Sequence, residues 1–251
     1  MSHHSIVVDD LAYSYPDGTS ALTGVSFVLE PGERVALLGA NGAGKTTLAL
    51  HLNGLLTPER GTVRVAGLPV EEPHLMEVRR RVGIVFQDPD DQLFMPTLAE
   101  DVAFGPANLG LAGVELERCI DDALDAMGLL ELRHRAPHHL SFGQRRRAAV
   151  ATVLSMRPDI LVFDEPTSNM DQAGRREFAE VLETLDVTML TITHDVSHAL
   201  RTCPRAIVMS GGRIVADGPT AELLANEQLL AANRHELPYG LGLTPECRRA
   251  A

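Results

Sequence analysis

A few short stretches hold side chains whose types and spacing suit chemistry on phosphate. The first is Gly39-Ala40-Asn41-Gly42-Ala43-Gly44-Lys45-Thr46. It fits G-x-x-x-x-G-K-[ST] at every fixed position. Glycines there let backbone N–H groups turn inward around phosphate oxygens. A helix opening at the lysine adds the positive end of its dipole. Lys45 then reaches the β- and γ-phosphates of a nucleotide, and the Thr46 hydroxyl ligates Mg²⁺. A chance glycine-rich turn would lack the strand before and the helix after.

Such a loop needs a carboxylate for the metal. Ile160-Leu161-Val162-Phe163-Asp164-Glu165 is an apolar run ending in two acids. That places both acids at the carboxyl edge of a sheet, where open α/β folds bind ligands. Asp164 is the Mg²⁺ partner, and Glu165 orients and deprotonates an attacking water. Leu140-Ser141-Phe142-Gly143-Gln144 precedes a helix that carries Arg145-Arg146-Arg147. Ser141 suits an N-cap and Gly143 leaves N–H groups open, which makes a second anion site. Alone, this pentapeptide would be an ordinary helix cap.

The elements that must position these groups are legible in outline. Ile6-Val8, Val25-Leu29 and Val35-Leu38 read as strands, with turns at Tyr15-Pro16-Asp17-Gly18 and Pro31-Gly32. Lys45 to Asn53 reads as a helix, Thr62 to Val65 as a strand, Glu71 to Arg81 as a helix and Val82 to Phe86 as a strand. A loop at Asp88-Pro89-Asp90-Asp91 opens a long helical stretch to about Met156. Within it Leu116, Cys119, Ile120, Ala123, Leu124 and Met127 share one helix face. Alternation then resumes: strand Ile160–Phe163, helix Asp171–Leu185, strand Thr188–Thr193, helix Val196–Arg201. A hairpin of Ala206–Met209 and Arg213–Ala216 turns at Gly211-Gly212, and a helix runs from Thr220 to about Arg234. The pattern is an α/β core interrupted near residues 96–157 by a helical insertion, with a tail over 226–251.

The chain has 251 residues, 22 Lys plus Arg and 34 Asp plus Glu, a formal net charge of −12. That balance argues against broad nucleic-acid binding, which needs a positive field. The runs Arg79–Arg81 and Arg145–Arg147 read as solvated helix surface. Cys119, Cys203 and Cys247 are odd in number and far apart, which suits a reducing cytosol and no zinc or disulfide framework. Neither a signal peptide nor a spanning run of about 20 apolar residues is visible, so membrane work would go through a partner.

The motifs in combination resemble the ATP-binding cassette (ABC) ATPases over roughly residues 5–225. The phosphate loop is Gly39–Thr47 and the glutamine loop centres on Gln87. The signature is Leu140–Gln144, and the acidic strand ends at Asp164-Glu165-Pro166-Thr167. The D-loop is Ser168-Asn169-Met170-Asp171, and the switch histidine is His194 in Thr193-His194-Asp195. The resemblance implies a P-loop NTPase core of the RecA-like kind, an antiparallel β subdomain and an inserted helical subdomain, as one nucleotide-binding domain. It implies ATP and Mg²⁺, with Lys45, Gln87, Glu165 and His194 catalytic and Thr46, Gln87 and Asp164 at the metal. Tyr15 matches the residue that stacks on adenine, with Tyr13 a weaker match. Asn41, Gly42, Ala43, Gly44 and Thr47 would line the nucleotide. Two copies, or a copy and a paralogue, would pair head to tail. Ser141 and Gly143 then act on the γ-phosphate of the partner's nucleotide, Gln144 lies with them at that nucleotide, and Asp171 reaches across the dimer. Phe142 departs from the usual glycine-type residue. Asn169-Met170 replaces a small residue and leucine, with Met170 able to fill the same apolar slot.

Phe86-Gln87-Asp88-Pro89-Asp90-Asp91-Gln92-Leu93-Phe94 and His51-Leu52-Asn53-Gly54-Leu55-Leu56 look like energy-coupling-factor importers. Asp101-Val102-Ala103-Phe104-Gly105-Pro106 and Pro137-His138-His139-Leu140 look like their cobalt or nickel members. This branch implies a peripheral subunit at the cytoplasmic face of the cell membrane, with a transmembrane coupling protein and a small substrate-binding membrane protein. His138 and His139 read as packing near the signature rather than as metal ligands. An importer of another micronutrient such as a vitamin, an exporter subunit and a soluble cassette ATPase stay open.

Overall fold

The computed structural model describes residues 5–232. Two sheets and a helical layer share the core. β1 (Ile6–Ser14), β2 (Ser20–Leu29), β4 (Arg60–Val65) and β5 (Leu68–Pro69) form an antiparallel sheet of order β2-β1-β4-β5. Alternation drives it: Leu22, Val25, Phe27 and Leu29 of β2 are buried while residues between them are more exposed.

The second sheet has the order β10-β9-β3-β8-β7-β6. Its strands are β3 (Arg34–Gly39), β6 (Val82–Val85), β7 (Ile160–Asp164), β8 (Thr188–Ile192), β9 (Arg205–Ser210) and β10 (Arg213–Pro219). All neighbours are parallel except the edge pair β10–β9. Strands β6, β7 and β8 are buried along their whole length, as continuous apolar runs in a two-sided sheet should be. Ile160, Val162, Leu190 and Ile192 face a cluster shared with the antiparallel sheet and with Leu48 and Leu52 of α1 (Lys45–Leu52). Leu161, Phe163 and Met189 face the opposite cluster, against Val150, Val153 and Phe178.

Between β6 and β7 the chain inserts α3 (Leu98–Asn108), α4 (Gly113–Ala126) and α5 (Phe142–Leu154). Capping boxes begin two of them, Thr97 with Glu100 and Ser141 with Gln144. Cys119, Ile120, Ala123, Leu124 and Met127 are buried as one stripe, with Leu116 half-buried beside it. The long helical stretch is thus three helices. Gly110 and Gly128, at φ +90° and +64°, end the first two, and single helical turns at Leu130–Leu132 and Pro137–His139 fill the approach to α5.

Other boundaries also differ from the sequence reading. The helix assigned to Glu71–Arg81 is only α2 (Leu75–Arg81). Pro73 clashes with a helical backbone at Glu72, the residue before it, and so keeps the helix from starting at Glu71. α6 (Gln172–Glu183) starts one residue late because Asp171 is its cap, accepting from Gly174 N at 2.8 Å. After α7 (Val196–Thr202), the predicted helix from Thr220 divides into α8 (Thr220–Leu224) and α9 (Glu227–Ala232). The Asn226 side chain accepts from Leu229 N at 3.0 Å, capping a new helix rather than continuing the old one. Arg234, Cys247 and most of the tail over 226–251 lie outside the described residues.

Candidate active site

Strands β3, β8 and β7 lie side by side and parallel, so their carboxyl ends reach one edge together. Leu37 and Asp164 both pair in register with Ile192. β3 therefore delivers the glycine loop, β7 delivers Asp164 and Glu165, and β8 delivers His194, all on the same rim.

Two glycines of the loop are required by close approach. A Cβ on Gly44, at φ +98°, would sit 2.5 Å from the Ala21 carbonyl oxygen. One on Gly39 would sit 2.5 Å from the Met209 carbonyl oxygen. The loop leads into α1, whose N-terminus opens on the cavity. Lys45 is 6% exposed, and its Nζ donates to the Gly39 and Ala40 carbonyls at 2.7 and 3.1 Å. Burial pushes its ammonium down from the usual lysine range, opposed by Glu165 and Asp164. Thr46 Oγ1 donates to Asp164 Oδ2 at 2.8 Å. Burial pushes the Asp164 carboxyl up, against the Thr46 hydrogen bond and the nearby Lys45 charge.

Glu165 occupies the left-handed region at φ +47°. Its N–H donates to Ile192 O at 2.9 Å. Its Oε2 accepts from His194 N at 3.3 Å and lies 2.8 Å from His194 Nδ1. The Glu165 side chain is 10% exposed and that of His194 63%. One partner is fixed in the wall while the other faces the opening.

Tyr15, Asn41, Gly42, Gly44, Lys45, Thr46, Thr47, Gln87, Asp164, Glu165 and His194 line one cavity of about 500 Å³. That size is ordinary for a site taking a small organic ligand. The Tyr15 hydroxyl lies 2.8 Å from Thr47 Oγ1, leaving its ring at the mouth. Tyr13 instead packs edge-on between Tyr15 and His51. Gly39 and Ala43 shape the loop from behind, Ala43 being buried in the core. Thr19, Ser20 and Ala21 also line the cavity. Nothing in their types marks them, and only the fold brings them there.

The other predicted residues lie elsewhere. Ser141, Gly143, Gln144 and Asp171 line a second cavity of about 490 Å³ with Phe142, Asn169 and Met170. Gln144 N donates to Ser141 Oγ at 3.2 Å, and Ser141 N to Gln144 Oε1 at 2.9 Å. A Cβ on Gly143 would meet nothing within 4 Å, so the backbone there stays open. Met170 is buried, as the apolar-slot reading required.

Two sequence readings need correction. Arg146 is 0% exposed rather than solvated, because its guanidinium turns inward to a carbonyl and a hydroxyl. His138 and His139 are exposed, ring against ring at 4.2 Å, and are not packed into the core. Among the described residues no group of three or more His, Cys, Asp or Glu could hold a metal. The fit for Mg²⁺ rests on hard oxygen donors instead. The Thr46 hydroxyl and Asp164 carboxylate already touch, Gln87 lines the same cavity, and Mg²⁺ commonly takes few protein ligands beside phosphate and water.

A sequence profile of the ABC transporter family matches residues 22–168. The chain belongs to that family, as an ATP-binding and ATP-hydrolysing subunit. It is 64% identical over 236 residues to a provisionally named ABC transporter ATP-binding protein of Streptomyces coelicolor, covering 94% of this chain and 91% of that one. It is 46% identical over 237 residues to the energy-coupling factor transporter ATP-binding protein EcfA of Carboxydothermus hydrogenoformans, covering 93% and 87%. The solved structure of cbiO1 from Clostridium perfringens, part of the ABC transporter complex cbiONQ, superposes with a TM-score of 0.82. The two are 36% identical, with 95% and 97% of the chains covered. Among the described residues no helix is long and apolar enough to cross a membrane.

Proposed function

We propose that this chain is the motor of an energy-coupling-factor type importer, seated at the cytoplasmic face of the membrane, with cobalt or nickel ions as cargo. The observation that carries the motor reading is the division of the site. The phosphate loop, Asp164, Glu165 and His194 share one cavity, whereas Ser141, Gly143 and Asp171 line another. Each chain thus holds half of a composite site, and a second copy or a paralogue supplies the rest. The likeness to EcfA and to cbiO1 supports the importer branch.

In this reading the loop N–H groups and Lys45 hold the triphosphate, and Tyr15 stacks on the base. Thr46 and Asp164, with Gln87, hold Mg²⁺, which would neutralise phosphate charge when bound. Glu165 takes the proton of the attacking water, and His194, hydrogen-bonded to it, steadies water and γ-phosphate. Gln87 and the exposed Phe94–Phe104 ring pair, 5.2 Å apart, lie on segments where a transmembrane coupling protein can dock.

Purification of the tagged chain from gently solubilised membranes of its own host tests the assignment. A multi-spanning coupling protein and a small substrate-binding membrane protein should copurify, with cobalt and nickel the first cargoes to assay. Recovery of the chain without any membrane protein would overturn the importer reading and leave the ATPase intact.

A further inference from the structure

Arg146 is among the largest fully buried side chains of the described residues, at 0% exposure. It lies in the first turns of α5, the helix that begins at the signature. A buried guanidinium is costly to desolvate, and among the described residues no carboxylate is hydrogen-bonded to this one. Burial pushes its pKa down, offset by the charges of Asp88 and Asp164. An apolar side chain would fill the space at less cost, so the directional donors are what the position uses.

Those donors hold two loops of the active site. Nη1 donates to the Phe86 carbonyl at 2.9 Å, the residue just before Gln87. Nη2 donates to Ser168 Oγ at 3.1 Å. Ser168 in turn gives its N–H to the Glu165 carbonyl at 3.1 Å. The guanidinium also lies 5.5 Å from the Phe142 ring of the signature. Phe86 is pinned to α5 from its other side as well. Its N–H donates to Gln92 Oε1, and Gln92 Nε2 donates to Ala149 O and Thr152 Oγ1, both on α5.

We propose that Arg146 is a positioning residue for ATP hydrolysis, fastening the backbone at Gln87 and at Glu165 to the signature helix so that the three move as one body. The proposal rests on the ATPase reading of the site, and Arg146 touches no reacting atom.

Steady-state kcat and KM for Mg-ATP, with melting temperatures, test it in wild type, Arg146→Met, Arg146→Lys, Ser168→Ala and the Arg146→Met/Ser168→Ala double variant. Arg146→Met should lower kcat by about tenfold or more with KM within about threefold, the pattern of a lost transition-state arrangement. Arg146→Lys should recover part of the loss. The double variant should be no slower than Arg146→Met, because the bond is already gone. A folded Arg146→Met protein with wild-type kcat, a loss carried by KM alone, or independent multiplication of the two single effects would each overturn the proposal. Should Arg146→Met not fold, Ser168→Ala decides: lower kcat at unchanged KM supports the link, and unchanged kcat overturns it. A wild type without turnover would instead overturn the ATPase reading.

Discussion

Glu165 is held where a non-glycine residue seldom rests. Its left-handed backbone, at φ +47°, costs on the order of 1–2 kcal/mol. Ile192 O anchors its N–H and His194 its carboxylate, so the strain is maintained from both sides. Held in this way, Glu165 lines the cavity beside Lys45 and Asp164. Lys45 contributes in a different way. With its ammonium bonded to Gly39 O and Ala40 O, it sits between the loop and the two acids. Lys45→Ala removes the one buried cation of the cradle among the described residues. Nucleotide affinity should fall at least about tenfold, a conservative value for a charge-assisted phosphate contact. Titration with a fluorescent nucleotide reads this directly, and unchanged affinity would remove Lys45 from the phosphate site.

The elements carry their own requirements. Asp101, 2% exposed in the first turn of α3, accepts from Phe94 N and Met95 N, both at 2.9 Å. It therefore ties the segment after Gln87 to the helical layer. Asp101→Ala should destabilise the fold by about 1–3 kcal/mol, the range for leaving buried donors unpaired. Asp101→Asn, whose amide oxygen still accepts both bonds, should lose less. Denaturant unfolding of the two variants distinguishes these outcomes, and equal losses would mean the bonds add nothing. Sequence pattern predicted some elements better than others. The α4 stripe was legible because its period matched the buried face. The start of α2 was missed because charged residues there mimic helix surface while Pro73 interrupts them. Arg146 was misread for a related reason: a run of three arginines looks the same whether or not its middle member turns inward.

Across the whole molecule, parallel strand order explains why distant motifs converge. Gly39, Asp164 and His194 are far apart in sequence but emerge from three adjacent strands. Gly39 and Asp164 were readable from residue type and spacing, whereas His194 was named only through the resemblance to the family. Thr19, Ser20 and Ala21 were not readable, because they reach the cavity only through the antiparallel sheet packed beside it. Nor could spacing alone reveal that the signature forms a separate surface, which is a fact of tertiary placement. In the proposed composite site both surfaces serve turnover, with Glu165 proposed as the base for the water. ATP hydrolysis and ATP affinity of Glu165→Gln, measured beside wild type, are the most direct test. Turnover should fall by roughly 10²–10⁴, the usual worth of a general base, with ATP still bound at wild-type affinity. Turnover within threefold of wild type would contradict Glu165 as that base.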